Sequence, residues 1–501
     1  HFREMSIDTQ TDPFTCVGIG DMSGDVFGNG LLLSKTLKLL GAFNHRHIFL
    51  DPSPDPLVSW TERSRLFEME RSSWSDYDAA KISEGGGLFP RGAKRIALTP
   101  QVRAMLGTHR DTASGDDLVR MLLCADVHLL WNGGIGTYVR ATDETDADVG
   151  DKANDAVRIT ARELRCRAVG EGGNLGFTHA ARVEYALQGG RINTDAVDNS
   201  AGVDLSDHEV NLKILFAPLM NSGRLTMEER DDVLFSIDQE VCQAVLAHNY
   251  QHSLGLSVEE FSAAGSLRAW ERTIAFLCEA LGIDRDLQDL PSADTLRDRR
   301  HANLGLTRPE LARVHAFAKM WVYDQLTADP GSSKHMADTY VQAYFPAKVR
   351  ERFSAAIDTH KLRHEIVCTV WGNEIVDYAG ALLLPTLAVE VERPVPELCN
   401  AYALAAYALD AGSIRSGISG LDGQIAAEVQ YEAMDAVERI LASTTRAILA
   451  RCADAEALDA AMENREALRG LVSDLRTAVY KAQDTENRGG FRDATNVWEG
   501  R

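Results

Sequence analysis

The chain has 501 residues, 45% of them hydrophobic and 25% charged, a balance that suits two or more globular domains with sizeable cores and excludes a chain disordered as a whole. Its net charge of −22 and pI near 5.1 come with Lys and Arg scattered along the sequence, which argues against a nucleic-acid partner. Eight cysteines stand far apart with no CxxC pair, the polar start HFREMSIDTQ carries no signal-peptide pattern, and no apolar stretch is long enough to span a bilayer, so a soluble, cytoplasmic protein with reduced thiols and no membrane partner is expected.

Up to about Val210 the sequence alternates short β-rich runs with helix-like segments, the pattern of a doubly wound, mostly parallel α/β sheet of Rossmann type. The expected strands are Phe14 to Ile19, His47 to Leu50, Arg95 to Leu98, Val127 to Trp131, Arg167 to Val169 and Arg191 to Thr194. Most of them end in a Gly, Asp or Asn cluster, and the C-terminal ends of strands are where open α/β sheets place their ligands.

The first such end reads VGIGDMSGDVFGNG, with Gly18 and Gly20 directly after a strand and VFGNGLLLSKTLKLLG expected as a helix closing at Gly41. A dinucleotide turn needs unusual φ/ψ, a bare backbone for a pyrophosphate to approach, and free N–H groups at a helix start. In GxGxxG spacing the third slot falls on Ser23, with Gly24 one residue late. Asp51, 27 residues past Gly24, ends the strand HRHIFLD, where a carboxylate accepts hydrogen bonds from an adenosine ribose and favours NAD over NADP; Arg46 nearby pulls the other way. An ordinary tight turn, with Asp51 merely opening a loop, is the alternative.

Three further polar clusters follow strands. LLWNGGIGTYV carries Asn132, Gly133 and Gly134, AVGEGGNLGF carries Glu171, Gly172, Gly173 and Asn174, and INTDAVDNSAGVDLSDHE carries Asp198, Asn199, Ser200 and Gly202 in what is expected to be an extended loop. Loops after three strands of one sheet converge on one cleft. The acidic run Thr142 to Asp151 lacks EF-hand order and is expected as a solvated loop, and SEGGGLFPRG is expected as a loop inserted between strands.

Past Val210 helical periodicity takes over. Thr226 with Glu229 and Thr307 with Glu310 stand in capping-box register, and Leu311, Val314, Ala318, Val322 and Leu326 form one apolar stripe. The run from Ala403 to Ala482, rich in Ala, Leu, Glu and Arg, extends the helical region toward the end of the chain. His360 and His364 lie four apart beside Glu365, but the order is not HExxH and no third ligand is apparent; partnered histidines and no metal are expected. The domains read from this pass are 1–12 as a lead-in, 13–210 as the nucleotide-binding domain and 211–501 as a helical C-terminal domain.

GEGGN, followed by a helix and then NTDAVDNSAGV, resembles the paired EGAN and PD-x-x-x-N-A-G-G-V segments of glutamate, leucine and phenylalanine dehydrogenases. GDMSGDVFGNG, LLWNGGIGTYV and the long helical tail resemble, more specifically, the large bacterial NAD-dependent glutamate dehydrogenases. The resemblance implies oxidative deamination of L-glutamate to 2-oxoglutarate and ammonia with NAD as cofactor, in a homo-oligomer. It implies Gly18, Gly20, Ser23 and Gly24 along the pyrophosphate and Asp51 at the adenosine ribose. Asn132, Gly133 and Asn174 fall near the nicotinamide and its ribose, and Asn199 where nicotinamide meets substrate. Ser200-Ala201-Gly202 stands where the family has Ala-Gly-Gly. The catalytic lysine and aspartate of that family belong to a substrate domain ahead of the dinucleotide fold, and here no lysine precedes Lys35; the expectation is that this chain is a C-terminal part of a longer enzyme, binding NAD with little or no turnover. A dehydrogenase of another amino acid and a catalytically silent NAD-binding assembly module are the alternative readings.

Overall fold

The computed structural model describes residues 1–331, 334–474 and 477. Its N-terminal region is built on a six-stranded sheet. In chain order the elements that position the site are β1 (Phe14–Ile19), α1 (Asp25–Leu32), β2 (Leu37–Phe43), β3 (His47–Leu50), α2 (Pro56–Glu68), β4 (Gly87–Pro90), α3 (Gly115–Leu123), β5 (Leu129–Asn132), β6 (Ala168–Glu171) and α4 (His179–Leu187). Across the sheet the strands lie β6-β5-β1-β2-β3-β4. β1 pairs in parallel with β2 and β5, and β5 with β6, whereas β3 is antiparallel to β2 and β4 to β3. The doubly wound, mostly parallel α/β arrangement is therefore present, with two antiparallel strands, β3 and β4, added at one edge.

Several expected elements differ. The helix expected to close at Gly41 stops at Leu32, and Leu37–Phe43 is the strand beside β1. Ser34 and Thr36 turn their hydroxyls to the Thr9 carbonyl at 2.6 and 2.9 Å, which ends the helix in a polar turn. Gly41 is needed in the strand itself, because a Cβ there would lie 2.5 Å from Leu122 on α3. SEGGGLFPRG contains the edge strand β4. Arg95 to Leu98 shrinks to the two-residue strand Ile96–Ala97, paired with Thr112–Ala113 outside the main sheet. Arg191 makes one bridge, to Ala168, and no strand of its own forms there. The acidic run folds around Arg158, whose buried guanidinium pairs with Asp146 at 2.9 Å and Asp155 at 2.7 Å.

The remainder is helical: α5 (Ser200–Asn221), α6 (Met227–Ala263), α7 (Leu267–Leu281), α8 (Arg308–Thr327), α9 (Arg363–Ala379), α10 (Val395–Ala408) and α11 (Ala427–Arg451) are its main helices. Both capping boxes form, with the Thr226 N–H donating to Glu229 at 2.9 Å and the Thr307 N–H to Glu310 at 2.8 Å, each satisfying backbone groups that a helix start leaves open. The stripe Leu311, Val314, Ala318, Val322 and Leu326 on α8 is buried throughout and joins the long apolar cluster of the helical region. That cluster begins at Val197, while the two clusters flanking the sheet hold no buried residue beyond Ile192; α5 runs unbroken through position 210. The lead-in is tied to both regions, since Glu4 takes hydrogen bonds from Arg191 at 3.1 Å and from Tyr431 at 3.0 Å. The last residues of the helical run expected to Ala482 lie outside the described residues. Among the described residues no helix is long and apolar enough to cross a membrane.

Candidate functional site

The C-terminal ends of β1, β5 and β6 lie side by side, because Ile19 is in register with Asn132 and Asn132 with Glu171. Backbone bonds lock the three ends together: the Gly133 N–H donates to Ile19 O at 3.0 Å and the Gly173 N–H to Asn132 O at 3.0 Å. On the other side of β1 the Gly20 N–H donates to Phe43 O at 2.8 Å, at the end of β2. Gly20 has φ of +139°, a backbone region that side chains rarely adopt. A Cβ at Gly18 or Gly20 would also fall within 2.7 Å of the Phe27 ring, so these two glycines let α1 pack down onto β1.

The turn then opens. Ser23 is exposed, and the N-cap Gly24 makes no side-chain cap bond, so the first amides of α1 remain without a capping side chain. Uncapped amides at a helix start, backed by the helix dipole, form an anion site. Asp21 holds the turn from within, accepting from Ser23 Oγ at 2.6 Å and from Asn44 Nδ2 at 2.7 Å. Asp21 and Asp25 leave the turn acidic, so any phosphate here relies on backbone amides.

Asn174 and Asn199 meet: the Asn199 amide donates to Asn174 Oδ1 at 3.1 Å. The extended loop expected around Asn199 is instead helical, with the short helix Asp195–Asp198 ahead of it and α5 starting at Ser200. Ser200 Oγ accepts from Asn249 Nδ2 of α6 at 2.8 Å. Asn132 lies beneath this surface, fully buried, with both amide atoms lacking a partner. A Cβ on Gly176 would sit 1.7 Å from its Nδ2, so the Asn132 amide packs against the Gly176 backbone and is not exposed at the strand ends.

The structure does not bring Asp51 to the glycine turn. β3 runs antiparallel, so its C-terminal end points away from that turn, level with the middle of β2; Leu50 is in register with Gly41, and the Asp51 N–H bonds Leu40 O. Its carboxylate is buried and accepts from the Ser83 hydroxyl and N–H, and burial raises its pKa against those bonds. The end of β2, which does adjoin the turn, carries Asn44.

A network beneath the cleft was not foreseen. Glu171 forms a bidentate pair with Arg182 at 2.7 and 3.0 Å, both side chains buried. Burial pushes the Glu171 carboxyl upward while Arg182 opposes the shift. Asp198 accepts from the Glu171 N–H at 2.8 Å and from Asn193 Nδ2 at 2.6 Å. Asn193 in turn takes a hydrogen bond from Arg308 Nε on α8, and Arg308 also reaches Ser253 O and Ser257 Oγ, each at 2.8 Å. Arg308 thus ties the helical region to the backbone that presents Asn174 and Asn199. Its sequence signal was only the capping box around it. His360 and His364, as expected, are partnered, facing Asn211 O at 3.0 Å and Thr327 O at 3.4 Å.

A mostly parallel sheet with a glycine turn, an uncapped helix start and converging amide loops at the strand ends is the arrangement that dinucleotide-binding α/β proteins use. Comparison with known proteins narrows this. Residues 1–259 match the family described as bacterial NAD-glutamate dehydrogenase, catalytic domain, and residues 303–498 match glutamate dehydrogenase, C-terminal. The chain belongs to the bacterial NAD-glutamate dehydrogenase family. It is 44% identical over 446 residues to an NAD-specific glutamate dehydrogenase of Halomonas elongata, covering 89% of this chain and 28% of that protein. With the protein of that name from Mycobacterium tuberculosis it shares 50% identity over 397 residues, 78% of this chain and 24% of the relative. The corresponding figures for Pseudomonas aeruginosa are 43% over 447 residues, 89% and 28%. The chain therefore spans about a quarter of the length of the curated relatives it matches.

Proposed function

We propose that this chain supplies the NAD-binding part of an enzyme that oxidatively deaminates L-glutamate to 2-oxoglutarate and ammonia. The observation that carries the reading is the convergence of the Gly18–Gly24 turn, Gly133, Asn174 and Asn199 at the C-terminal ends of three adjacent parallel strands. The names of its relatives support the same chemistry.

NAD, when bound, would accept the hydride from the amino-acid Cα; the chain's own residues hold and orient. The α1 amides after Ser23 and Gly24 face the pyrophosphate, with Gly18 and Gly20 giving the turn its shape. Asn174 and Asn199 present amide groups to the nicotinamide end, and Asn132 with Gly133 shapes the floor below. Asp51 is left out on its position. The Asp21–Asn44 pair takes its place beside the adenosine ribose, and a carboxylate there disfavours a 2′-phosphate. Proton transfer and recognition of the substrate carboxylate fall to the lysine and aspartate of a substrate domain not contained in this chain. The working form is a cytoplasmic homo-oligomer, a compartment consistent with eight free cysteines.

The test compares glutamate-dependent NADH formation by this chain and by the chain extended to the full length of its relatives. The extended form is expected to turn over and this chain to bind NAD with little or no turnover, since general acid–base groups are worth about 10²- to 10⁴-fold in rate. Robust glutamate turnover by this chain overturns the division of labour. Absence of NAD binding by either form overturns the function.

A further inference from the structure

Helices α5, α6, α8, α9 and α10 enclose a cavity of about 1000 Å³ in the helical region. Two trios of potential metal ligands lie at or just behind its wall: Asp204, His208 and His248, and His252, His315 and Asp377, the ligand atoms of each trio lying within 4.8 Å of one another; Asp204, His248, His252 and Asp377 line the cavity, and His208 and His315 are buried behind it.

In the second trio His252 Nε2 is unpartnered, but His315 and Asp377 are already engaged. His315 Nδ1 faces Glu259 and its Nε2 faces Asp377, both at 2.9 Å, so both nitrogens donate and neither lone pair is free. Lys319 adds an ammonium 2.6 Å from Asp377, where it repels a cation. The first trio is different. Asp204 and His208 are four apart on α5 and so share a face. His208 is 2% exposed, yet its Nε2 has no hydrogen-bond partner. It lies 3.7 Å from Asp204 Oδ1, beyond a hydrogen bond, while His248 Nδ1 on α6 lies 2.8 Å from Asp204 Oδ2. Zinc bonds to N and O of about 2.0–2.2 Å place tetrahedral ligands about 3.4 Å apart, a spacing the two observed distances bracket. The His208 ring is held by stacking on Tyr344 at 4.4 Å, which limits its motion beside Asp204. Asp204, Asp207 and His248 line the cavity, which leaves solvent access for an ion and adds a second carboxylate nearby.

We propose that Asp204, His208 and His248 bind one divalent transition-metal ion of the zinc class, pinning α5 to α6 and leaving a coordination position open to the cavity. Two imidazoles with one carboxylate suit such an ion. The site is independent of the nucleotide cleft, although α5 begins one residue after Asn199.

The purified chain is stripped with a chelator and titrated with Zn²⁺ against a chromogenic competitor, and separately loaded with Co²⁺ as a spectroscopic probe. One tight Zn²⁺ per chain and a visible tetrahedral Co²⁺ band are expected. His208→Ala tests the buried ligand; because that chain can fail to fold, His248→Ala and Asp204→Asn, at more exposed positions, carry the test. Each is expected to weaken Zn²⁺ by about tenfold or more and abolish the Co²⁺ band, with His252→Ala changing neither. The proposal is overturned if the chain retains no stoichiometric Zn²⁺, if His248→Ala binds as tightly as the parent, or if His252→Ala is the variant that loses the ion.

Discussion

At the residue scale, the cleft depends on side chains too small to interfere and on a few amides. Asn174 and Asn199 bond each other at 3.1 Å, which fixes the two amides relative to each other at the end proposed for the nicotinamide. Replacing either with Ala removes one or two hydrogen bonds, each worth about 0.5–1.5 kcal/mol. NAD affinity is expected to fall about 3- to 10-fold, readable as a rise in Kd with unchanged melting temperature. Gly176 is a different case. An added methyl group would meet Asn132 Nδ2 at 1.7 Å, and Asn132 is fully buried. Gly176→Ala is therefore expected to destabilise by about 1–3 kcal/mol through overpacking, seen as a lower midpoint in thermal unfolding.

At the scale of elements, β1, β6 and the capped helices α6 and α8 were legible because propensity, apolar period and capping residues agree there. Leu37–Phe43 was not. LLLSKTLKLLG satisfies a helical period as well as a strand, and what decides is tertiary: β1 needs a parallel neighbour, and Gly41 makes room for Leu122. That error carried Asp51 with it, because counting His47–Leu50 as the second parallel strand pointed its terminal acid toward the turn, whereas the antiparallel strand points it away. The residues of the cleft itself were legible from glycine and asparagine clustered at strand ends. Arg308 was not legible, since a lone arginine in a first helical turn does not reveal a hydrogen bond to Asn193, 115 residues away in sequence. Arg308→Met leaves Asn193 and Ser253 O without their donor in a buried setting, and is expected to cost about 2–4 kcal/mol. Chemical denaturation monitored by circular dichroism reads the loss, and a weakened NAD affinity should accompany it through the Asp198–Asn199 backbone.

At the scale of the whole molecule, buried histidines set how the protein responds to acid. Burial holds His179, at the start of α4, and His252, on α6, at pKa values of about 3, with Arg182 and Arg313 adding to the effect at His179 and Lys319 at His252. Both values lie below the ordinary 6.5 of the unfolded chain, so the unfolded state takes up protons first as pH falls. Their contribution to stability is complete above pH 6.5 and is lost between 6.5 and about 3, with a slope of at most about 1.4 kcal/mol per pH unit for each group. His252→Gln is expected to flatten the acid limb of a stability–pH curve; an unchanged limb would show that another group sets it. The same scale joins the two regions: lead-in, sheet and helices share Glu4, Arg191, Arg308 and Tyr431, which favours their unfolding together over separate transitions.

The central claim is that the uncapped start of α1, behind the Gly18–Gly24 turn, receives the phosphates of NAD. Ser23 is exposed, so Ser23→Glu adds a negative charge at the anion site while sparing the core. Calorimetric titration of NAD into the chain and into this variant tests the claim most directly. The account predicts one NAD per chain and an affinity about tenfold weaker in Ser23→Glu, equivalent to about 1.4 kcal/mol. No NAD binding by the parent chain, or equal affinity in a correctly folded variant, would contradict it.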